Sequence, residues 1–211
     1  MPAAAAMRVN RAKTIMDMRG KILAAAVAIF MSSVCGPASS AGKNACEREM
    51  ARAAQKHGVP LGVLYAVGLT ETGRGDSLRP YALNINGRSV YDIGKAEAVR
   101  MFQTARGEGV KLIDIGCMQI NHHYHARHFA SLEDMFDPAQ NVDYAARFLR
   151  QLKMREGSWT MAVARYYAGP NNDSGQKRYV CRVITNMVAS GFGSWTDDAS
   201  SFCGRDKPVK N

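Results

Sequence analysis

Three short stretches of the chain carry side chains that can do chemistry. Glu71 closes an otherwise apolar run, Leu61 to Glu71. A helix dipole disfavours a carboxylate at its C-terminal end. Apolar neighbours disfavour the charge further, and both effects raise a pKa. A raised pKa lets a carboxyl hold its proton near neutrality and serve as a general acid. The plainer reading places Glu71 in the exposed last turn of a surface helix. The second stretch is Asp114-Ile115-Gly116-Cys117-Met118-Gln119-Ile120-Asn121. Gly116 permits close backbone approach at a strand-to-helix junction. Gln119 and Asn121 supply amide donors and acceptors suited to sugar hydroxyl and acetamido groups; otherwise they are incidental to a helix start. The third is Ala164-Arg165-Tyr166-Tyr167-Ala168-Gly169-Pro170. Tyr166 offers a ring face and a hydroxyl to a sugar, or simply packs a helix end.

Other constellations are weaker. His122, His123, His125 and His128 fall at helical i,i+3 spacings compatible with a metal. No His-Glu-x-x-His pattern and no carboxylate accompanies them, so a polar groove wall or solvated face is the better reading. The chain has 211 residues, 28 basic against 18 acidic, and a net charge of +10. That balance calls for an anionic partner. Nucleic acid fits poorly, because the basic residues are not interleaved with aromatics. The 46% hydrophobic and 22% charged content is that of a packed globular protein.

The positioning elements begin after an N-terminal address. Residues 1–21 are basic, Ile22 to Val34 is apolar, and Ala38-Ser39-Ser40-Ala41 is small. That sequence of regions predicts a secretory signal peptide over 1–41, cleaved after Ala41. The apolar run is shorter than the roughly 20 residues a membrane span needs. Lipid attachment through Cys35 is disfavoured by bulky Val34. Cleavage removes five basic residues, one acidic residue and Cys35. Cys46, Cys117, Cys181 and Cys203 remain, an even set that predicts two disulfides in an exported protein without choosing among three pairings.

Asn44 to Glu47 reads as a capping box opening a helix to about His57, stopped by Gly58. Pro60 opens a second helix ending near Glu71. Asn86-Gly87 between short alternating runs, 82–85 and 88–91, predicts a β-hairpin. A helix over about 95–106 follows, and the β-branched run 112–115 predicts a third strand. The pattern is helical again from Met118 to about His128. Asp137-Pro138-Ala139-Gln140 starts a helix with one apolar face. Further helices run from Ser158 or Trp159 to Gly169-Pro170, and over about 174–189. The expected organisation is a signal peptide (1–41), one predominantly α-helical α+β domain (42–190), and a tail (191–211). Phe192, Trp195 and Phe202 are the tail's candidate anchors.

In this order, Glu71-Thr72, Gly116-Cys117-Met118-Gln119-Ile120-Asn121 and Arg165-Tyr166-Tyr167-Ala168-Gly169 resemble the lytic transglycosylase (SLT) family. The family pattern is Glu-Ser, then Gly-Leu-Met-Gln-Ile/Val-Asn, then Ala-Tyr-Asn-Ala-Gly. Asp137 to Val142 is similar to its Asn-Ile/Val helix start. The likeness covers about 45–190 and is nearer to a proteobacterial subgroup with TETG, GC-M/F-QIN and HFASLEDMFDP stretches. It implies a goose-type-lysozyme-like fold, with a small hairpin or sheet inserted after the helix bearing Glu71.

The resemblance also implies cleavage of the β-1,4 bond between N-acetylmuramic acid and N-acetylglucosamine in peptidoglycan. Glu71 would protonate the leaving oxygen and then deprotonate the muramic C6 hydroxyl, which closes to a 1,6-anhydro product without cofactor or metal. Thr72, Gly116, Met118, Gln119, Asn121, Tyr166 and Tyr167 become the implied substrate-contact set. Asp114 or Asp92 could instead position a water, giving a lysozyme-type hydrolase; a non-catalytic wall-binding module is the other alternative. Thr72 in place of Ser keeps the hydroxyl, whereas Tyr167 in place of Asn changes one contact. Cys117 in place of Leu implies pairing with Cys46, which leaves Cys181 for Cys203. The implied setting is a periplasmic monomer acting on glycan strands, with a secretion or other envelope-spanning complex as a partner class.

Overall fold

The computed structural model describes residues 44–75 and 77–205. The signal peptide, its cleavage point, Cys35 and the last six residues of the tail lie outside the described residues.

Helix α1 (Ala45–His57) starts where the Asn44 side chain accepts the Glu47 amide at 3.2 Å. It stops at Gly58, which adopts the left-handed conformation (φ 64°). Helix α2 (Leu61–Thr72) follows with Pro60 as its N-cap. Its sequence is apolar on nearly every face, the pattern of a helix enclosed on all sides. Gly68 marks the tightest contact: a Cβ there would fall 2.3 Å from Met50 Cε and 2.9 Å from Leu78 Cδ2.

The predicted hairpin forms from β1 (Leu83–Ile85) and β2 (Arg88–Val90). Asn86 (φ 48°) and Gly87 (φ 90°) occupy the positive-φ turn, and Asn84 Oδ1 accepts the Gly87 amide at 2.7 Å. Helix α3 (Lys95–Gly107) leads to β3 (Ile113–Ile115), which pairs with the other side of β1.

Here the sequence reading needs correction. The expected helix from Met118 is instead a turn followed by a fourth strand, β4 (Ile120–Asn121), antiparallel to β3. Gly116 (φ 78°) and Gln119 (φ 47°) reverse the chain. Ile115 then opposes Ile120, and Asp114 opposes Asn121. The sheet order is β2-β1-β3-β4, antiparallel throughout. Only then does helix start, as the short α4 (His122–His125) running into a 3-10 turn at Ala126–His128.

Helix α5 (Leu132–Phe136), which the sequence reading missed, precedes α6 (Pro138–Glu156). Asp137 caps α6 by accepting the Gln140 amide at 3.0 Å. Ser158 caps α7 (Trp159–Tyr167), and α8 (Asp173–Ala189) follows. Within the tail a further helix appears, α9 (Asp197–Phe202), capped by Thr196. Of the tail's expected anchors, Phe192 meets Tyr65 (ring centroids 5.7 Å apart). Trp195 lies under the Arg205 guanidinium, and Phe202 stays largely exposed.

The helices bury one core. α1 packs on α6, α2 on α8, and α7 bridges α6 and α8. Leu64, Met50, Phe136, Leu149 and Met118 are fully buried within that core. Two disulfides reinforce it: Cys46–Cys117 ties α1 to the β3–β4 turn, and Cys181–Cys203 ties α8 to the end of α9. Among the described residues no helix is long and apolar enough to cross a membrane.

Candidate active site

Packing around α2 carries Glu71 to the junction of helices and sheet. The Tyr179 hydroxyl, from α8, donates a short hydrogen bond to Glu71 Oε1. Protein atoms crowd the carboxyl while the residue keeps partial contact with solvent. Burial is the main reason its pKa rises from 4.5 to about 7. The Tyr179 hydrogen bond opposes that rise, the Asp114 carboxylate adds to it, and the Arg182 guanidinium opposes it. The helix end emphasised from sequence is therefore not the chief cause; desolvation is. A carboxyl with this pKa populates both protonation states near neutrality, as a group that gives and then takes a proton must.

Helix α8 supplies most of what sequence reasoning missed. Arg182 Nη2 donates to the Thr70 carbonyl at 3.3 Å, and Asn186 Nδ2 to the Thr70 hydroxyl at 2.9 Å. Gln176 Nε2 donates to the carbonyls of Ala168 and Gly169, at 3.1 and 2.7 Å, closing the end of α7. Gln176, Tyr179, Arg182 and Asn186 recur every three or four residues, so one face of α8 addresses the site. That helical spacing of polar residues on one helix was the available signal.

The two Gly116–Asn121 and Tyr166–Tyr167 stretches do converge on this region. The Tyr166 hydroxyl donates to the Met118 carbonyl at 2.8 Å. Tyr167, about half exposed, stacks on Tyr179 with ring centroids 4.8 Å apart. Burial and the nearby Glu71 charge push the Tyr166 and Tyr179 hydroxyls well above their ordinary range. Both stay protonated and act as donors.

Several residues expected at the substrate instead spend their polar atoms on the protein. Thr72 is buried, and its hydroxyl donates to the Cys117 carbonyl at 3.0 Å. Met118 is fully buried. Gln119 Nε2 donates to the carbonyls of Gly116 (3.0 Å) and Ala82 (3.2 Å). Asn121 Nδ2 donates to Asp114 Oδ1 at 2.7 Å, while its Oδ1 accepts the His123 amide at 3.1 Å. Asn141, read from sequence only as part of the family-like start of α6, holds the turn. Its Oδ1 accepts the Met118 amide, and its Nδ2 donates to the carbonyls of Ile115 and Met135, each at 2.9 Å. Gly116 is required there, since a Cβ would lie 2.7 Å from Asn141 Nδ2.

Asp114 is the second carboxyl of the site. Burial raises its pKa, and the Asn121 hydrogen bond opposes the rise. Asp92 is exposed and pairs with Arg79. The four histidines do not all share one site: His123, His125 and His128 line one cleft, and His122 is not part of its lining. His122 packs on Phe102, whereas His125 Nδ1 meets the Tyr144 hydroxyl at 2.7 Å. Among the described residues, no group of three or more His, Cys, Asp or Glu could hold a metal ion.

The family model described as the transglycosylase SLT domain matches residues 49–186, from within α1 to within α8. The chain belongs to that family. Its predominantly helical α+β architecture, with a small antiparallel sheet after the helix bearing Glu71, is the family's lysozyme-like fold. Members cleave glycosidic bonds of peptidoglycan as lytic transglycosylases, so this chain is an enzyme of that class and peptidoglycan is its substrate. No curated protein and no solved structure matched the chain.

Proposed function

We propose that the chain cleaves the β-1,4 bond between N-acetylmuramic acid and N-acetylglucosamine with formation of a 1,6-anhydro end. Glu71 acts first as general acid and then as general base. The observation that carries this reading is the crowded Glu71 carboxyl, with a pKa of about 7 and a tyrosine hydroxyl donating to it. Protonated Glu71 delivers its proton to the leaving glycosidic oxygen as that bond breaks. The substrate's 2-acetamido group shares the positive charge that develops at C1. The Glu71 carboxylate then takes the proton of the muramic C6 hydroxyl, whose oxygen bonds to C1. The proton count closes, since the proton given to the leaving group is replaced by the one taken from C6.

Tyr179 orients the carboxyl and supports its ionised form, and Arg182 adds to that support. Among the candidate substrate contacts, Tyr167 offers an exposed ring and Gln119 its amide oxygen. Thr72, Gly116, Met118 and Asn121 act through the backbone and the Asp114 carboxylate rather than at the sugar. Asp114 favours one competing reading, in which it orients a water and the bond is hydrolysed. Its hydrogen bond to Asn121 holds one oxygen away from that task.

Mass spectrometry of muropeptides released from purified sacculi separates the two. Anhydro-ended products are expected. Products heavier by one water would overturn the lytic assignment, and no soluble product would leave a wall-binding module.

We place the enzyme in the periplasm, exported as a monomer by the segment 1–41. The two disulfides and the wall substrate support that setting. An envelope-spanning machine is the partner class, and the tail pinned by Cys181–Cys203 is its candidate contact.

A further inference from the structure

Glu71 sits between two residues that are each tied to another part of the fold. Helix α2 ends at Thr72, so the carbonyls of its last turn lack amide partners further along the helix. Gly73 follows in extended backbone, its amide returning to the Leu69 carbonyl at 3.0 Å. Side chains supply the remaining tethers. Thr72, just after Glu71, is buried and donates its hydroxyl to the Cys117 carbonyl in the β3–β4 turn, at 3.0 Å. Thr70, just before Glu71, is buried against α8.

Thr70 is held at two atoms. Its hydroxyl donates to the Ala66 carbonyl at 2.8 Å and accepts Asn186 Nδ2 at 2.9 Å. Its carbonyl accepts Arg182 Nη2 at 3.3 Å. The Ala66 bond already satisfies the hydroxyl as a donor inside α2, so the Asn186 amide adds a tether between helices. Asn186 stands one turn beyond Arg182 on α8, and Tyr179, which donates to Glu71, stands one turn before it. One face of one helix thus grips both the carboxyl and the residue preceding it. The Arg182 guanidinium also places a cation at the C-terminal end of α2, where the helix dipole favours one.

On the reading of Glu71 given above, we infer that Asn186 and Arg182 are positioning residues that act through Thr70. They fix the rotation of the last turn of α2 and so aim the Glu71 carboxyl at the glycosidic oxygen. A reacting group misplaced by about 1 Å loses on the order of 100-fold in rate. Releasing Thr70 should therefore lower kcat and leave KM in place, because the carboxyl is re-aimed and the surfaces that hold the glycan are not changed.

The test compares the full chain with Thr70→Val, Asn186→Ala and the double variant on soluble glycan strands prepared from sacculi. Valine keeps the shape of threonine and removes the hydroxyl. Each single change should lower kcat by about tenfold or more, with KM within about twofold. Both changes remove the same bond, so the double variant should resemble the worse single one rather than multiply the two losses. Thr70→Ser restores the hydroxyl and should recover most of kcat.

The Arg182 contribution is read from the pH profile. The groups facing Glu71 are Tyr179 and Arg182 from α8, Asp114 from β3 and Tyr166 from α7. Arg182→Met removes a cation that favours the Glu71 carboxylate, so the alkaline limb of kcat/KM should move to higher pH. Arg182→Lys keeps the charge and should leave the limb where it is. Thermal unfolding identifies which variants are folded at the assay temperature. Asn186 is only partly buried, so Asn186→Ala carries the test even where Thr70→Val fails to fold. A folded Asn186→Ala with unchanged kcat, a loss confined to KM, or single losses that multiply in the double variant would overturn the inference. Glu71→Gln is assayed alongside. Full turnover by Glu71→Gln removes the proposed reaction and the clamp together, whereas an inactive Glu71→Gln beside an unimpaired Asn186→Ala removes the clamp alone.

Discussion

Neutralising Glu71 should change how the stability of this protein depends on pH, independently of any substrate. The carboxyl's pKa rises from 4.5 to about 7 on folding, chiefly because burial penalises its charge. Below about pH 4.5 it is protonated in both the folded and the unfolded chain. Between about 4.5 and 7 the unfolded chain ionises while the folded chain keeps its proton. Stability linked to this group is therefore present in full at low pH and is lost as the pH rises to about 7. A shift of that size corresponds to about 3 kcal/mol, at 1.36 kcal/mol per pH unit. Glu71→Gln keeps an oxygen for the Tyr179 hydroxyl to donate to but removes the titration. The variant should match the wild type near pH 4 and exceed it by about 3 kcal/mol at pH 8. Denaturant unfolding at fixed salt with disulfides intact, from pH 4 to 8, measures both curves. Asp114, whose pKa is also raised, and His122 and His125, whose pKa values burial lowers, titrate in both proteins. Taking the difference between the two curves largely removes them. A difference that stays flat across pH 4.5–8 would refute the claim that burial holds the proton on Glu71.

The neighbours of Glu71 should move the alkaline limb of the pH–rate profile in opposite directions. Tyr179→Phe removes a donor to the carboxylate and should raise the limb above about 7, whereas Asp114→Asn removes a like charge and should lower it; kcat/KM between pH 5 and 9 reads both. Asn141→Ala strands the buried Met118 amide and the Ile115 and Met135 carbonyls, so denaturant unfolding should show a loss of at least ~3 kcal/mol. Replacing Cys46 and Cys117 by Ser opens a link spanning 71 residues. Loop-closure entropy sets that loss at about 4 kcal/mol, against about 3 for the 22-residue span of Cys181–Cys203; thermal unfolding of the two double variants should rank them in that order.

Local chemistry was legible wherever a single segment contained all of its own instructions. Asn44, Asp137 and Ser158 cap helices because each side chain reaches an amide three residues on. Asn86-Gly87 turns the hairpin because both residues accept positive φ. The run from Leu61 to Glu71 read as a helix because Leu61, Leu64, Tyr65 and Leu69 recur at helical spacing after Pro60. The segment after Gly116 was misread because its apolar spacing is compatible with a helix. What makes Ile120–Asn121 a strand is pairing with Ile115 and Asp114, and the Asn141 side chain that holds the turn comes from 23 residues away. Short α5 and α9 escaped because they are too brief to show a helical period.

The sequence by itself determined which carboxyl is the candidate acid, where most of the longer helices begin and the turn at Asn86-Gly87. These depend on residue type and on neighbours a few positions apart. The tertiary structure alone decided what Glu71 is worth as an acid. Its pKa is set by burial beneath helices far apart in sequence, by Tyr179 at a separation of 108 residues, and by the balance between Asp114 and Arg182. The same packing decided which polar groups are committed to the protein, Thr72 and Asn121 among them. Solvation and through-space charge depend on distances in the folded molecule, and only the closed fold sets those distances.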